Sequence, residues 1–450
     1  MEGSLSIEIK RKEDFKRGFD ARLYQNLFFN GSFDHLFIMW YTYTKIHQGA
    51  KKMISDSMKQ LVAGSSIIRA MFEEGKRLAT IYGKENVFDF SIGNPSVNPP
   101  QEVKNAMIHV VNTEDANYLH GYTNNAGYED VRNKIAEHIN REHGTTYNHS
   151  NIIMTVGAAG GLNVIFKTLL NPDDEVIVFA PFFGEYKNYI SNYNGKIVVV
   201  TPNFIDFQLN LVEFESKITL KTKAVIINNP NNPTGTVYSK ETLEQLANIL
   251  YKKQKEFGND IYIISDEPYR ELVYGGVLVP FIPKIYDNTI VGYSYSKSLS
   301  LPGERIGYLI IPDTVTDAED IKAGTSVATR ILGYVNAPTI MQRTIAECLD
   351  AKVDVEIYNR NRELLYHSLT KMGYECVKPD GAFYLFVKAL EEDDVSFAAE
   401  AKKKNLLIVP GVSFGCPGYV RIAYCVDYST IERALPAFEQ LAKEYRGSEL

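Results

Sequence analysis

The sequence predicts an α/β fold, in which a large domain with a mostly parallel sheet covered by helices is joined to a smaller α+β domain. From about residue 150, short and almost continuously apolar β-branched runs alternate with helical segments. Such runs are typical of parallel strands that are buried on both faces. Beyond residue 334 the alternation stops, and a long helical stretch precedes two further strand-like runs. We therefore expect residues 96–334 to form the large domain, and residues 53–95 and 335–450 to form the small one.

The predicted strands of the large domain each lead into a turn or a helix. Their runs are NIIMTV (151–156), DEVIVFA (174–180), GKIVVV (195–200), KAVIINNP (223–230), IYIISDEPY (261–269) and TIVGYSYSK (289–297). In the small domain, a helical stretch over 355–373 precedes the runs GAFYLFV (381–387) and YVRIAYCV (419–426). Parallel α/β sheets bind their ligands outside the carboxyl ends of the strands. The residues that follow these runs are therefore the candidates for a functional site.

The first 52 residues differ from the rest of the chain in sequence pattern, because they are rich in aromatic residues and have no clear hydrophobic period. Met53 opens a segment in which Ile67, Met71 and Leu78 fall on one face of an amphipathic helix. We interpret residues 1–52 as an N-terminal extension of uncertain order, and Met53 as the working start of the protein.

Composition argues against several classes of protein. The net charge of -7 and the pI of about 5.7 give no support to nucleic acid or an anionic membrane as the main partner. The four cysteines form no CxxC pair, so we expect reduced structural thiols and no metal site. No apolar run reaches the length of a membrane span, and the N-terminus does not read as a signal peptide. We expect a cytoplasmic enzyme.

Two predicted strands end in polar side chains that need an explanation. Asp266 follows an apolar run, and a carboxylate buried there needs a partner unless it caps a helix. Tyr269 lies three residues on, beyond Pro268, so one tight turn can aim both side chains into a cleft. Asn232, in the turn NNPNNPTG (228–235), belongs either to a structural turn or to a site that needs a fixed amide donor.

Two further segments carry groups that suit phosphate. The turn GAAGG (157–161) between a strand and a helix lets an anion approach backbone N–H groups at a helix N-terminus. It matches neither G-x-G-x-x-G nor the P-loop pattern. In SYSKSLSLPGERIGY (294–308), Lys297 offers an amine and Arg305 a guanidinium for two-point phosphate binding. Ser294 and Ser296 add hydroxyl donors. Taken singly, Lys297 is explained as a lysine whose amine reaches solvent along an apolar surface, and Arg305 as a surface arginine.

Together, these residues form a more specific set: an amine nucleophile, a carboxylate, a phenol, an amide and a phosphate cradle, without metal ligands. The set suits pyridoxal phosphate. The lysine would form a Schiff base with the cofactor aldehyde. The carboxylate would keep the pyridine nitrogen protonated, and the phenol and the amide would hydrogen-bond the ring oxygen.

The motifs and their order resemble the class I/II aminotransferases of the fold-type I pyridoxal-phosphate group, over about residues 65–424. The resemblance implies that the large domain binds the cofactor. Lys297 looks like the Schiff-base lysine, and Arg305 and Ser294 look like phosphate ligands. Asp266 resembles the partner of the pyridine nitrogen, and Tyr269 and Asn232 resemble the partners of the ring oxygen.

The same resemblance assigns roles to residues that the motifs alone do not. It implies amides of Ala158 and Ala159 at the phosphate, Phe183 stacked on the cofactor, Arg421 on the substrate α-carboxylate, Gly93 and Asn94 against the substrate, Phe383 near the substrate mouth, and Tyr122 at the phosphate of a neighbouring subunit. The last role implies a homodimer with shared sites. Phe183 is otherwise a plain core aromatic, whereas an arginine inside an apolar strand needs an anionic partner. The turn GAAGG lacks the Ser or Thr that many relatives carry, so phosphate binding would rely more on the backbone and Arg305.

The resemblance implies transamination from an L-amino acid to a 2-oxo acid through a lysine aldimine. A β-lyase or C–S lyase on the same scaffold is the main alternative. A regulatory protein with an aminotransferase-like domain is a weaker one, since residues 1–52 show no helix-turn-helix pattern. The amino donor stays open between aspartate, aromatic and aliphatic substrates.

Overall fold

The computed structural model describes residues 54–63 and 67–447. Close packing of Cα atoms divides the chain into two units, residues 1–65 and residues 66–450. The described part of the first unit contains helix α1, Asp56–Ala63. The predicted extension over residues 1–52 and the predicted start at Met53 lie outside the described residues, and both stay predictions.

The second unit alternates helices and strands, as the sequence predicts. Its helices are α2 (Ile67–Tyr82), α3 (Gln101–Thr113), α4 (Ala116–His120), α5 (Glu129–His143), α6 (Gly157–Leu169), α7 (Tyr186–Ser191), α8 (Leu211–Lys217), α9 (Lys240–Phe257), α10 (Tyr295–Ser298), α11 (Ala318–Ile331), α12 (Thr339–Ala346), α13 (Val355–Lys371), α14 (Asp394–Lys403) and α15 (Tyr428–Arg446). Its strands are β1 (Phe88–Asp89), β2 (Ile152–Thr155), β3 (Glu175–Phe179), β4 (Lys196–Val200), β5 (Thr222–Asn228), β6 (Tyr262–Asp266), β7 (Thr289–Ser294), β8 (Gly307–Ile310), β9 (Tyr384–Lys388), β10 (Leu406–Leu407), β11 (Val409–Pro410) and β12 (Tyr419–Ala423). In the described residues, no helix is long and apolar enough to cross a membrane.

A seven-stranded sheet forms the centre of this unit, in the order β2-β8-β7-β6-β5-β3-β4. The pairs from β4 to β7 are parallel, whereas β8 runs antiparallel to both of its neighbours. The residues of the central strands β5, β6 and β7 are almost all buried, as continuous apolar runs require. The predicted fold class is confirmed. Strand β8 is absent from the predicted set, because four apolar residues after a Pro-Gly turn are too short a signal.

A second, antiparallel sheet has the order β11-β12-β9, and β1 pairs with β10 in a short parallel ladder. Strands β9 and β12 are the two that the sequence predicts beyond residue 334, and α13 is the predicted long helix. Strand β12 is central in its sheet, which places Arg421 among buried neighbours at 2% exposure. The domain boundaries at residues 95, 96, 334 and 335 stay predictions.

The register of the central sheet brings three strand ends together. Asn228 at the end of β5 pairs with Asp266 at the end of β6, and Asp266 pairs with Gly292 in β7. Strand β7 then ends at Ser294, directly before the short helix α10 that carries Lys297. Parallel pairing therefore collects the polar side chains of three distant segments at one edge of the sheet.

Candidate active site

A cavity of about 270 Å³ opens at this edge of the sheet. Its walls come from the strand ends, the start of α6, and residues from the second sheet. It is lined by Ile92, Gly93, Ala158, Ala159, Leu162, Phe183, Tyr189, Asn228, Asn232, Asp266, Pro268, Tyr269, Ser294, Ser296, Lys297, Pro302, Arg305, Tyr384 and Arg421. Most of the predicted site residues therefore meet in one cavity.

Three predicted residues lie elsewhere. Phe383 is fully buried behind the wall, where its ring centroid is 5.3 Å from the Lys297 Nζ. Asn94 is exposed beside the cavity residue Gly93. Tyr122 is 90% exposed and does not line the cavity. Within a single chain, the structure does not bring Tyr122 to the site.

Lys297 projects from α10, whose first turn is capped by the Ser294 hydroxyl accepting from the Ser296 N–H. Its Nζ donates a hydrogen bond of 2.6 Å to the carbonyl of Gly93. Burial, together with the charges of Arg421 and Arg305, lowers the pKa of Lys297 to about 8, against an opposing effect of Cys425. A neutral amine is therefore accessible near physiological pH, as a nucleophile or a general base requires.

Asp266 is 4% exposed at the end of β6. Its Oδ2 accepts hydrogen bonds from the Tyr186 hydroxyl and, at 3.5 Å, from the Asn228 amide. Its Oδ1 is buried and has no hydrogen-bond partner. Burial raises the pKa of Asp266 to about 7, while the Tyr186 hydrogen bond acts in the opposite direction. The carboxyl is thus held in place on one side and lacks a partner on the other.

Arg421 is fixed by two acceptors. Its Nη1 donates to Asn232 Oδ1 at 3.0 Å, and its Nη2 donates to the carbonyl of Ser91 at 2.7 Å. The guanidinium carbon lies 4.5 Å and 4.8 Å from the ring centroids of Tyr384 and Phe414. Its Nε is buried without a partner, and none of the ion pairs among the described residues involves Arg421. A buried guanidinium in this state fits a carboxylate ligand.

Asn232 and Tyr269 occupy neighbouring parts of the wall. The Asn232 backbone N–H donates to Asn228 Oδ1 at 2.7 Å, which holds the turn after β5. Since Asn232 Oδ1 accepts from Arg421, its side-chain N–H₂ is the group left to donate to a ligand. The Tyr269 hydroxyl lies 2.9 Å from the Tyr384 hydroxyl, and burial raises its pKa well above the ordinary value. Tyr269 is therefore a neutral phenol.

The start of α6 and Arg305 form the anion-binding side of the cavity. Helix α6 begins at Gly157, which has a φ of 75°, and no side chain caps its first turn. The Arg305 guanidinium donates to the carbonyls of Pro302 and Val156, and a Cβ at Gly157 would lie 3.0 Å from its Nη2. Glycine is thus needed there both for its backbone angle and for the close approach of Arg305. Uncapped helix N–H groups beside a guanidinium bind phosphate well.

Comparison with known proteins places this chain in a family. The family model "Aminotransferase class I and II" matches residues 85–438. The chain belongs to the class I and II aminotransferases. It is 32% identical over 379 residues to the aspartate aminotransferase of Thermotoga maritima, covering 83% of this chain and 96% of that protein.

Solved aminotransferase structures agree with this assignment. An aminotransferase of Eubacterium rectale is 50% identical with a TM-score of 0.86, over 88% of this chain and all of that one. The aspartate aminotransferase of Thermus thermophilus with maleate is 29% identical with a TM-score of 0.76, over 87% of this chain and all of that one. The predicted family and the aminotransferase activity are confirmed.

Several residues of this candidate site escape prediction from sequence. Asn228 holds both Asp266 and the Asn232 turn, and the pairing of β5 with β6 is the signal that could have identified it. Tyr186 fixes Asp266; it begins α7, three residues after Phe183 in the preceding loop, and the two ring centroids lie 5.6 Å apart. Phe183, which the resemblance does predict, is half-buried on the cavity wall, edge-on to Tyr186. Tyr384 touches both Tyr269 and Arg421.

A second cavity of about 100 Å³ shares helix α10 with the first, since Tyr295 and Ser298 line it. Its wall includes Glu271, whose Oε1 accepts from the Tyr293 hydroxyl at 2.8 Å. The Tyr293 hydroxyl also lies 2.9 Å from the Ser298 hydroxyl. Glu271 Oε2 is buried without a partner, and burial raises the pKa of Glu271 to about 7. We refer to this space as the Glu271 cavity.

Proposed function

We propose that this aminotransferase holds pyridoxal phosphate in the 270 Å³ cavity and moves an amino group from an L-amino acid to a 2-oxo acid there. The observation that carries the proposal is that Lys297, Asp266 and Arg421 line one cavity. An amine of lowered pKa, a carboxyl with one unpartnered oxygen and a guanidinium with an unpartnered Nε are each costly to bury. All three are explained by ligands that they face together.

The residues present fit the cofactor. Asp266 Oδ1 is an acceptor for the protonated ring nitrogen, and the Tyr269 hydroxyl and the Asn232 amide are donors for the ring oxygen. The half-buried Phe183 offers its ring to the cofactor face. The phosphate would be held by amides of Ala158 and Ala159, the hydroxyls of Ser294 and Ser296, and the Arg305 guanidinium. When bound, pyridoxal phosphate supplies an aldehyde that reacts with amines and a ring that withdraws electrons from the substrate α-carbon.

The protein side of the chemistry follows from three contacts. Lys297 supplies the amine that holds the cofactor and, once free, accepts and returns the α-proton of the substrate. The Gly93 carbonyl, which accepts the Lys297 hydrogen bond, keeps that amine on the substrate side of the cavity. Arg421 binds the substrate α-carboxylate, with Asn232 and Ser91 fixing its orientation. Asn94 and Phe383 lie next to these groups and border the substrate's position.

The proposal includes a homodimer with shared sites, in a cytoplasmic enzyme. Its support is Tyr122, a large side chain that is 90% exposed and does not line the cavity of its own chain. Mixing inactive Lys297→Ala and inactive Tyr122→Ala chains should restore part of the activity, because one of the two sites in a mixed dimer has both residues intact. Failure to restore activity when the mixed dimer demonstrably forms would count against the shared site.

Borohydride reduction of the purified full-length protein tests the cofactor and its attachment together. We expect one pyridoxyl group per chain, located on Lys297 by peptide mass spectrometry. A label on another lysine, or none after incubation with pyridoxal phosphate, would refute the assignment. A panel of amino donors with 2-oxoglutarate then identifies the substrate. Pyruvate and ammonia released without an acceptor would indicate lyase activity instead.

A further inference from the structure

The phosphate side of the cavity lacks a hydroxyl where the first turn of α6 begins. The turn consists of Gly157, Ala158, Ala159 and Gly160, and no side chain caps it. The nearest hydroxyl before it, that of Thr155, donates to the Gly157 carbonyl at 3.1 Å and is buried. A dianionic phosphate accepts more hydrogen bonds than backbone amides on one side supply. A further donor on this side of the cavity would therefore strengthen binding.

Tyr189 meets the requirements for that donor. It lies on α7 and lines the same cavity as Ala158, Ala159 and Arg305. Its side chain is half-buried, and none of the hydrogen bonds among the described residues involves its hydroxyl. A phenol at a partly buried position usually finds a hydrogen-bond partner. Because Tyr189 lines the cavity, a ligand bound there can supply that partner.

The charge around Tyr189 keeps it a donor. Burial, then the negative charges of Glu185 and Asp266, raise the pKa of Tyr189 above its ordinary value, and Arg305 acts in the opposite direction. The phenol therefore stays protonated at physiological pH. Arg305, the cation on the phosphate side, lines the same cavity as Tyr189.

The position of Tyr189 on α7 is also consistent with a side chain that faces the cavity. Tyr186, three residues earlier on the same helix, donates its hydroxyl to Asp266 at the floor of the cavity. Residues three apart share a helix face, so α7 directs both phenols toward one cavity. Tyr193, beyond the end of α7, instead donates to Asn163 Oδ1 at 3.2 Å and does not line the cavity.

We propose that the Tyr189 hydroxyl donates a hydrogen bond to the phosphate of the bound cofactor and replaces the hydroxyl side chain that the GAAGG turn lacks. The inference rests on the proposed function, since it requires pyridoxal phosphate in this cavity. It assigns to Tyr189 a binding role and no part in proton transfer.

Equilibrium binding of pyridoxal phosphate and of pyridoxal to the cofactor-free, full-length protein tests the inference. Both ligands carry the same aldehyde and ring, and only one carries the phosphate. In Tyr189→Phe, the Kd for pyridoxal phosphate, followed by the visible absorption of the bound cofactor, should rise about tenfold, as expected for a lost hydrogen bond to a charged group. The Kd for pyridoxal should stay within about twofold of wild type on the same physical ground.

Tyr193→Phe is the matched control, because it removes a phenol hydroxyl from the same region without touching the cavity; it should leave both affinities unchanged. An unchanged Kd for pyridoxal phosphate in Tyr189→Phe, or an equal loss for the two ligands, would overturn the role of Tyr189. Wild-type protein that binds neither ligand would instead overturn the proposed function itself. Equal thermal stability of the three cofactor-free proteins verifies that the variants are folded.

Discussion

Two buried carboxyl groups, five positions apart in the chain, have nearly the same local environment. Asp266 and Glu271 each accept a hydrogen bond from a tyrosine hydroxyl on one oxygen and have no partner on the other. Burial raises the pKa of each to about 7. Each lines a cavity next to helix α10. Burial, pKa and hydrogen bonding therefore do not distinguish which of the two is the functional carboxyl.

The cations around the two groups differ. The cavity of Asp266 contains Lys297 and Arg421, and none of the ion pairs among the described residues involves either. In the Glu271 cavity, Arg270 is engaged by the Glu267 carboxylate at 2.5 Å and by the carbonyls of Val279 and Pro280. The other lysine or arginine there, Lys352, is exposed to solvent. A raised pKa thus reports burial, whereas buried cations without a carboxylate partner among the described residues indicate where a charged ligand binds.

Removing one of these cations should have the largest effect. We expect Lys297→Ala to lower the rate of amino transfer by at least about 10⁴-fold, because the amine serves both as nucleophile and as base. The reducible bond to the cofactor should disappear with it. Lys352→Ala, which removes the exposed cation of the Glu271 cavity, is the control and should have wild-type turnover. Turnover near that of wild type in Lys297→Ala would mean that the wrong cavity has been assigned.

The two carboxyls can be compared directly with amide substitutions. Asp266→Asn should lower kcat by about 10²-fold to 10³-fold, because a neutral amide does not stabilise a protonated ring nitrogen as charge moves onto the cofactor. Glu271→Gln keeps the acceptor for Tyr293 and faces no reacting group, so kcat should stay within a few-fold of wild type. Steady-state kinetics of both variants with one amino donor provide the measurement. Equal losses would show that burial alone explains the sensitivity of this region.

The contrast between the two cavities also marks what sequence can predict. Asp266, Lys297 and Arg421 are identifiable because a charged residue at the end of, or inside, an apolar strand is unusual, and because their motifs occur in a family's order. The run IYIIS predicts β6 because it is short, almost continuously apolar and rich in β-branched residues. Glu271, Tyr186 and Tyr189 lie in turns and short helices, where polar residues are ordinary. Their roles depend on which side chains the fold brings together, such as Tyr186 and Asp266 across 80 residues of chain, and no local pattern reports that.

Strand β8 illustrates the same limit in the fold. Its four residues follow the turn after Lys297 and insert between β7 and β2, which are more than 100 residues apart in sequence. The pairing is specified by the whole sheet rather than by the run itself, since short strands take their stability from their neighbours.

The smallest predicted effect separates the two carboxyls by their response to the cofactor. In the unfolded chain both ionise near pH 4, whereas in the folded protein their pKa values are about 7. The folded state therefore binds these protons more tightly. The stability that this contributes is present below pH 4 and is lost as the pH rises toward 7. The substituted side chains in Asp266→Asn and Glu271→Gln do not ionise. The free energy of unfolding of each cofactor-free variant should therefore rise relative to that of wild type between pH 4 and pH 7, and exceed it by roughly 1–3 kcal/mol at pH 8.

Pyridoxal phosphate should cancel this gain for one carboxyl only. A protonated ring nitrogen beside Asp266 favours the ionised carboxylate, so wild type should be stabilised by the cofactor more than Asp266→Asn is. Glu271 faces no such cation, and Glu271→Gln should keep its advantage with or without cofactor. Urea unfolding of wild type and both variants at pH 5 and pH 8, with and without pyridoxal phosphate, measures these differences. If the cofactor removed the advantage of both variants alike, Asp266 would not be its specific partner, and the distinction between the two cavities would lose its physical basis.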